Sequence, residues 1–502
     1  RKYELKNNKM KMLEVNHEKE KKELLLKSLK ESNKDLLNHK SAQSCLSILE
    51  TAGQLASSLN VEVYLVGGFV RDLIMGNRLN DIDMMVVGDG IAFAKVLAQK
   101  LKMGKVVPFE KFGTALIPNE IIQIEIASAR SESYRDDSRK PSEVIYTDLK
   151  GDLLRRDFTV NAMAVDIRPE HFGELHDPFD GMKDIEAKKL LTPLDPDSTF
   201  SEDPLRMMRA AYFASKLGFE IDSAGLNSIK RQAKRIDIVS WERKTTELTK
   251  ILKTPKPSIG IDILQKTGLL KFIFPEIDNM IGLEQTSEWH HKDIYTHTMQ
   301  VVDNSAKLTD KMEIRFAALV HDIAKPHTRR IDPKKGYTFH GHSEVGARIL
   351  KKVAKRMKLS NELQNYLVNM TLLHLRPIAL AKGEVTDSAV RRLMVSAGEQ
   401  VDDLLVLCRA DITTKNPNKV KRYLKNFDIV ESKMANVTER DAMKAFQSPV
   451  KGNEIMEIFS LTEGRQIGAI KLAVEEAILD GEIENTYDAA KSYLLEMKEA
   501  LD

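Results

Sequence analysis

The stretch Val63–Asp89 constrains this chain more than any other. It reads Val63-Tyr64-Leu65-Val66, then Gly67-Gly68-Phe69-Val70-Arg71-Asp72, then Asn80-Asp81-Ile82-Asp83-Met84-Met85-Val86-Val87. The first four residues are β-branched or large and apolar, which predicts a buried strand. Gly67 and Gly68 break it, and Phe69 to Gly76 predicts a short helix with Leu73 and Ile74 turned inward. A glycine pair between strand and helix lets backbone N–H groups approach a phosphate at the helix N-terminus. The next strand carries Asp81 and Asp83, which share one face because side chains alternate along a strand. Two like charges on one face repel, and a divalent cation such as Mg²⁺ resolves the conflict. A diglycine or an Asp-x-Asp alone would read as a β-hairpin with exposed acids. Here the glycine turn, Arg71 and both carboxylates fall within one β-α-β span, which favours phosphate plus metal.

Gly67-Gly68-x-Val70-Arg71-Asp72 followed by Asp81-x-Asp83 resembles the signature of the class II tRNA nucleotidyltransferases (CCA-adding enzymes) and their bacterial poly(A) polymerase relatives. The resemblance implies an α+β fold: a small mixed β-sheet nucleotidyltransferase head, then all-helical RNA-binding, HD and tail regions. It also implies that Asp81 and Asp83 are catalytic and hold Mg²⁺, with Gly67, Gly68, Arg71 and Asp72 at the nucleotide.

Before this stretch, residues 1–40 are rich in lysine and glutamate and read as a solvated extension. Ser41–Leu59 has apolar residues at helical spacing and leads into the first strand. After the carboxylate hairpin, Gly90–Leu101 predicts a helix, and Lys105–Phe109, Thr114–Ile117 and Ile121–Ala127 predict short strands. Glu125 is either a third carboxylate beside the pair or an exposed acid on an edge strand. Ser128–Glu143 is polar without periodicity and reads as a mobile loop. In the resembled family a flexible loop here serves the final A addition.

The second motif is Leu153-Leu154-Arg155-Arg156-Asp157-Phe158-Thr159-Val160-Asn161-Ala162. Its residues predict a helix start capped by Asp157 or Thr159. The resemblance puts Arg156 at the triphosphate, Asp157 in the nucleotide site and Asn161 near the ribose. Asp177-Pro178-Phe179-Asp180-Gly181 reads as a turn closing the head.

The third motif is Glu202-Asp203-Pro204-Leu205-Arg206-Met207-Met208-Arg209. Asp203, Arg206 and Arg209 are three apart and would share a helical face, where the plain reading is a surface ion pair. The resemblance makes Asp203 and Arg206 an amino-acid template for the incoming base, with Arg209 on the phosphates. A carboxylate only accepts and a guanidinium only donates, a pattern that cytosine and adenine satisfy and guanine and uracil do not. Tyr212 stands where some relatives carry a basic residue. Trp241-Glu242-Arg243 with Glu247 matches the family's last core motif, and the region from Asp203 to about Phe274 reads as helical.

Histidines then concentrate: His290, His291, His297, His321, His327, His340, His342 and His374. The set His297, His321-Asp322, His342, His374 and Asp411 resembles an HD metal phosphohydrolase domain. Imidazoles with two carboxylates suit a divalent ion, Mn²⁺, Ni²⁺ or Mg²⁺. A basic helix (Lys419, Lys421, Arg422, Lys425) follows Asn416-Pro417. In the tail, Gly464 and Gly468 admit either a phosphate backbone or close helix packing.

The expected regions are 1–40 extension, 41–185 head, 186–285 neck and body, 286–418 HD domain and 419–502 tRNA-binding tail. The formal net charge is only +3, so an RNA partner requires local basic clusters. Cys45 and Cys408 lie far apart in no ligand spacing, which argues against disulfides and zinc fingers. No apolar run of about 18 residues and no signal peptide is visible, so a reducing cytoplasm is expected. The resulting expectation is template-independent CCA addition to the tRNA acceptor end from CTP and ATP. The alternatives are an A-adding, CC-adding or poly(A) polymerase relative, or an HD phosphohydrolase whose N-terminal half binds RNA. Oligomeric state is not encoded.

Overall fold

A computed structural model describes residues 39–502 apart from 78, 80, 119–121, 136–137, 288–289, 335, 381–385, 415, 442–447, 463 and 502, with the side chains of 39–44, 131–145, 285–292, 438–441 and 500–501 also left aside. Residues 1–38 of the expected extension therefore lie outside the described residues. The chain divides into two compact units, one running to Glu247 with Asp262–Ile273, the other Leu248–Ile261 with Phe274 onward.

The first unit begins with α1 (His39–Leu59), which leads into β1 (Glu62–Val66), α2 (Gly68–Met75), β2 (Asp81–Val87) and α3 (Gly90–Lys100). Three further strands, β3 (Val107–Phe109), β4 (Thr114–Ile117) and β5 (Gln123–Ser128), complete one side of a mixed sheet. A hairpin, β6 (Arg130–Arg135) with β7 (Ser138–Tyr146), comes next, then α4 (Leu149–Leu154), β8 (Ala164–Asp166) and β9 (Leu175–His176). The sheet order is β3-β4-β5-β2-β1-β8-β9, with β2 and β5 parallel and the other neighbours antiparallel.

The two faces of β2 explain its sequence. Ile82, Met84 and Val86 are essentially fully buried and pack with Leu49, Leu55, Phe93 and Leu97 of α1 and α3. Each such side chain contributes roughly 1.5–3 kcal/mol through burial. On the opposite face Met85 joins Tyr64, Val66, Leu153 and Ala164 in a second, smaller cluster. That cover stops short of Asp83 and Asp81, so the carboxylate end of the strand stays open.

Two expectations are corrected here. The stretch after β5 is an antiparallel hairpin rather than an irregular loop, with Arg130 opposite Tyr146 and Glu132 opposite Val144. Backbone pairing in an isolated two-stranded ladder leaves no buried face, so no apolar alternation marks it in the sequence. The second motif also does not start a helix. Helix α4 ends at Leu154, and Thr159–Asn161 is a single 3₁₀ turn.

Helix α5 (Pro196–Glu202) and helix α6 (Leu205–Leu217) then follow. A two-residue parallel ladder, Lys189–Leu190 with Glu220–Ile221, interrupts the otherwise helical run.

In the second unit, α7 (Ile294–Leu308), α8 (Met312–Val320), α9 (His342–Met357), α10 (Asn361–Leu373) and α11 (Val401–Ala410) form a bundle around Val301, Phe316, Leu350, Met370 and Leu404. Gly346 lets α9 cross α10 closely, since a Cβ there would stand 2.9 Å from Thr371 Cγ2. Arg315 is buried and donates to the Leu252 and Thr254 carbonyls, tying the ends of two helical stretches of this unit. Three tail helices, Gly452–Phe459, Arg465–Asp480 and Tyr487–Leu501, pack on a core of their own that includes Ile455, Val474, Ile478 and Leu494.

Candidate active site and metal centre

The open end of β2 presents three carboxylates. Asp81 and Glu125 are exposed and Asp83 is partly buried. The parallel register sets Asp83 beside Glu125 and Asp81 beside Gln123, so Glu125 faces the same way as the pair. Burial, reinforced by Asp81 and Glu125, pushes the Asp83 carboxyl up to about 7 against the pull of Arg156 and Arg71. Burial and Asp81 also raise Glu125. Oxygen-only donors that resist ionisation side by side fit a hard divalent cation. A cleft of about 350 Å³ opens beside them, lined by Asp83, Glu125, Arg156, Val66, Phe109 and Thr114 among others.

Gly67 joins this cleft through its backbone. It has φ +68°, a left-handed conformation costly for any other residue, and a Cβ would stand 2.8 Å from an Arg156 guanidinium nitrogen and 3.7 Å from Asp83 Oδ2. No side chain caps the N-terminus of α2 that Gly67 begins.

The arginines do not all face the cleft. Arg156 and Arg155 both donate to Asp152, Arg156 at 3.0 Å and Arg155 at 2.9 Å. Burial opposes ionisation of Asp152, but Arg156 and Arg155 outweigh it and hold the carboxyl below its usual value. Sequence reading missed Asp152. Its spacing, three and four residues before the two arginines on a helix end, was the available signal.

Arg71, expected at the triphosphate, is only 2% exposed. It forms two bonds to Asp72 (3.0 and 2.7 Å) and a third to Asn161 Oδ1. Asn161 in turn donates to Asp157 at 3.0 Å, and Asp157 pairs with Arg209 at 2.6 Å. Arg71 and Arg209 each lie 5.2 Å from the Phe213 ring centroid. Asp72, Asn161, Asp157 and Arg209 thus form one buried polar chain linking α2, the 3₁₀ turn and α6, because a guanidinium removed from water needs fixed acceptors.

The third motif also differs from its expected geometry. Helix α6 begins only at Leu205, so Asp203 lies before it in extended conformation and does not share a helical face with Arg206 and Arg209. Asp203 accepts from the Leu205 amide and from Arg243 at 3.2 Å. Pro204 is the reason: it restricts Asp203 to extended backbone and starts the helix. Arg206 is 8% exposed and donates to Thr199 O, Glu202 and Arg155 O.

In the second unit all six expected ligands converge. His321, His374 and Asp411 each stand at the C-terminal end of a helix, α8, α10 and α11, and His342 opens α9. Helix C-termini carry partial negative charge that favours a cation. His321, His342 and His374 present Nδ1 to the carbonyl three residues earlier, Ala318, Phe339 and Thr371, at 2.7–2.9 Å. His297 meets Thr413 Oγ1 through Nδ1 at 3.0 Å. Every Nε2 is thereby free to face inward.

Inside the cluster, His297 lies 3.0 Å from Asp411, His321 lies 3.1 Å from Asp322, and His342 lies 3.3 Å from His374. His321 Nε2, both Asp322 oxygens and Asp411 Oδ1 are buried without a hydrogen-bond partner. That is the condition of ligand atoms prepared for a metal, since such orphaned groups otherwise destabilise a fold. Burial would lower His321, but Asp322 and Asp411 outweigh it and push it up to about 10, whereas burial and the nearby His321 bring His374 down to about 4. Lys325, which the sequence reading passed over, sits 2.6 Å from Asp322.

Comparison with known proteins bears on both sites. The Poly A polymerase head domain family matches residues 63–191, a family described as a probable RNA- and SrmB-binding site of polymerase A matches 218–281, and the HD domain family matches 294–416. A multifunctional CCA protein of Vibrio campbellii is 33% identical over 364 residues, 70% of this chain and 85% of the relative. This chain belongs to the multifunctional CCA protein family, the class II tRNA nucleotidyltransferases. The Shewanella frigidimarina member is 36% identical over 313 residues, 60% of this chain and 71% of its own. Among solved structures of the same fold, the CCA-adding enzyme of Bacillus stearothermophilus in complex with CTP has a TM-score of 0.60 at 22% identity, covering 90% of this chain and 98% of that one. The Thermotoga maritima CCA-adding enzyme complexed with tRNA has a TM-score of 0.55 at 21% identity, covering 94% and 98%. As in the family at large, a nucleotidyltransferase head with a mixed sheet precedes helical regions and an HD domain. Among the described residues no helix is long and apolar enough to cross a membrane.

Proposed function

We propose that this chain builds the CCA end of tRNA from CTP and ATP, releasing pyrophosphate, and that its His–Asp cluster hydrolyses phosphoesters. The observation that carries the first half is the meeting of Asp81, Asp83, Glu125, Arg156 and the Gly67 backbone around one cleft. Asp81 and Asp83 would hold Mg²⁺, with Glu125 beside them. Bound there, the ion supplies Lewis-acid stabilisation of the reacting phosphoryl oxygens. Arg156, oriented by Asp152, and the uncapped start of α2 with Gly68 receive the triphosphate. Arg71 and Asp72 act from beneath, holding Asn161 and Asp157 in place. The β6–β7 hairpin stands where the family's loop for the A step is expected, which favours full CCA addition. Both cysteines are buried and free, in keeping with a reducing cytoplasm.

The test is incubation with CTP and ATP, singly and together, on tRNA lacking its 3′ end. CTP alone should add two residues and both together three. Addition of A alone, of CC alone, or of an A tail would assign a partial-specificity relative instead.

Base choice rests on Asp203 and Arg206. Truncation of Arg206 to Ala removes donors while leaving Arg156 untouched. CTP and ATP incorporation should fall and discrimination against UTP and GTP narrow by roughly ten- to a hundredfold, the equivalent of a charge-assisted hydrogen bond of about 1.5–3 kcal/mol. Single-nucleotide addition with each of the four triphosphates measures this. One common factor for all four would restrict Arg206 to bracing the Arg155 carbonyl and Glu202.

In the second site His297, His321, Asp322, His342, His374 and Asp411 would hold a divalent transition ion, Mn²⁺ or Ni²⁺, or Mg²⁺, and its bound form supplies an activated water. His321→Ala and Asp322→Ala should each abolish divalent-dependent phosphoester hydrolysis with nucleotide addition retained. Assays with model phosphomonoesters and cyclic phosphodiesters under Mg²⁺, Mn²⁺, Ni²⁺ and Co²⁺ check it. Absence of hydrolysis with all four would leave the cluster a structural role.

A further inference from the structure

We propose that the His–Asp cluster is a two-metal centre in which Asp322 bridges a pair of divalent transition ions. The inference rests on the metal-centre reading above and extends it to nuclearity. The six donors fall into two sets, His297 with His321 and Asp411, and Asp322 with His342 and His374, each set having its ligand atoms within 4.8 Å of one another.

Asp322 faces both sets with different oxygens. Its Oδ2 lies 3.6 Å from His297 Nε2 and 3.1 Å from His321 Nε2. Its Oδ1 lies 3.5 Å from His342 Nε2 and 3.8 Å from His374 Nε2. Asp411 Oδ1 completes the first side, 3.0 Å from His297 and 3.6 Å from His321. Adjacent ligands on one first-row ion, with bonds of about 2.1 Å, stand about 3 Å apart. The His297–Asp411, His321–Asp322 and His342–His374 separations match that spacing. A carboxylate using one oxygen per ion suits a pair about 3.5–4 Å apart.

A single ion accommodates the cluster poorly. Four imidazoles and two carboxylates on one centre would close its coordination shell and leave no position for water or substrate, whereas sites that do chemistry keep one open. Three or four protein ligands per ion leave positions open on both. The hydrogen bonds on Nδ1 of all four histidines fix the rings in this split arrangement before any ion binds.

The experiment counts bound Mn²⁺ in the full-length Asp81→Ala/Asp83→Ala protein, which removes the head carboxylates from the count. Equilibrium dialysis with elemental analysis gives the stoichiometry, and electron paramagnetic resonance gives the coupling between ions. Two Mn²⁺ per chain with a spin-coupled spectrum are expected. His374→Ala and His297→Ala should each reduce the count to one and return the six-line pattern of an isolated ion. Should either alanine variant lose helix by circular dichroism, His374→Gln and His297→Gln take their place, and the parent's count and coupling stand on their own. One ion per chain, or two uncoupled ions, overturns the bridge. One ion with phosphoester hydrolysis intact removes only the pair. No bound ion removes the phosphohydrolase reading as well.

Discussion

Asp83→Ala is expected to abolish nucleotide addition while leaving tRNA binding close to that of the parent. The carboxylate lies at the open end of β2 with Asp81 and Glu125 beside it, and no other described carboxylate stands between them and Arg156 in the cleft lining. Losing several kcal/mol of charge stabilisation at the reacting phosphoryl group corresponds to about a thousandfold or more in rate. RNA affinity depends mainly on basic surface and should change little. Single-turnover addition with CTP, alongside a gel-shift measurement of tRNA affinity, reads both quantities. Addition within about tenfold of the parent would remove Asp83 from the chemistry.

The same substitution has a stability signature of opposite sign. The Asp83 carboxyl is raised to about 7 by burial, Asp81 and Glu125. A raised carboxyl favours the fold at low pH, and that contribution is lost as pH rises from its unfolded value towards 7. Without divalent ions, then, Asp83→Ala should melt at or above the parent at pH 8 and lose that advantage at pH 5. A variant less stable than the parent at pH 8 would mean that Asp83 is held by favourable contacts rather than by tolerated repulsion.

Asp157→Ala is expected to be the most destabilising single change in the head. Asp157 is 7% exposed and takes the charge of Arg209 and the amide of Asn161, which itself holds Arg71. Burial opposes its ionisation, but Arg209 and Asn161 more than offset this and keep the carboxyl below its usual value. Removing it strands two guanidiniums at once. Breaking a buried pair destabilises by about 3–5 kcal/mol, and the lower end applies because the Arg209 side chain keeps roughly a third of its exposure. A lowered carboxyl stabilises above its unfolded value and ceases to as pH falls through the folded one. The gap between parent and variant in urea should therefore be widest near pH 7 and close in acid. Asp157→Asn, which keeps the hydrogen bond to Arg209 without the charge, should fall between. A gap below about 1 kcal/mol, the size of a surface pair, would show that the chain from Asp72 to Arg209 is not a connected network.

The sequence by itself determined the scaffold of both sites. Period-two alternation along Asp81–Val87 fixed which side chains meet the core, because a register slip of one residue would bury two aspartates. The Gly67 turn was likewise readable, since φ +68° beside Arg156 admits little else. The six HD-site ligands were readable because a His-Asp doublet in an apolar helix has few other uses, and the helices that carry them are strongly periodic.

What only the tertiary structure decided is partnership. Arg71 and Arg156 look equivalent in sequence, yet Asp72 and Asn161 bury the first, while Asp152 holds the second at the edge of the cleft. Asp203 looked helical by its spacing to Arg206, and the backbone restriction before Pro204 moved it off the helix. The β6–β7 hairpin left no trace because neither of its faces joins the core. The division of the metal ligands about Asp322 could not be seen either. Sequence spacing orders residues along the chain, whereas which oxygen faces which imidazole depends on where five separate helices end in space.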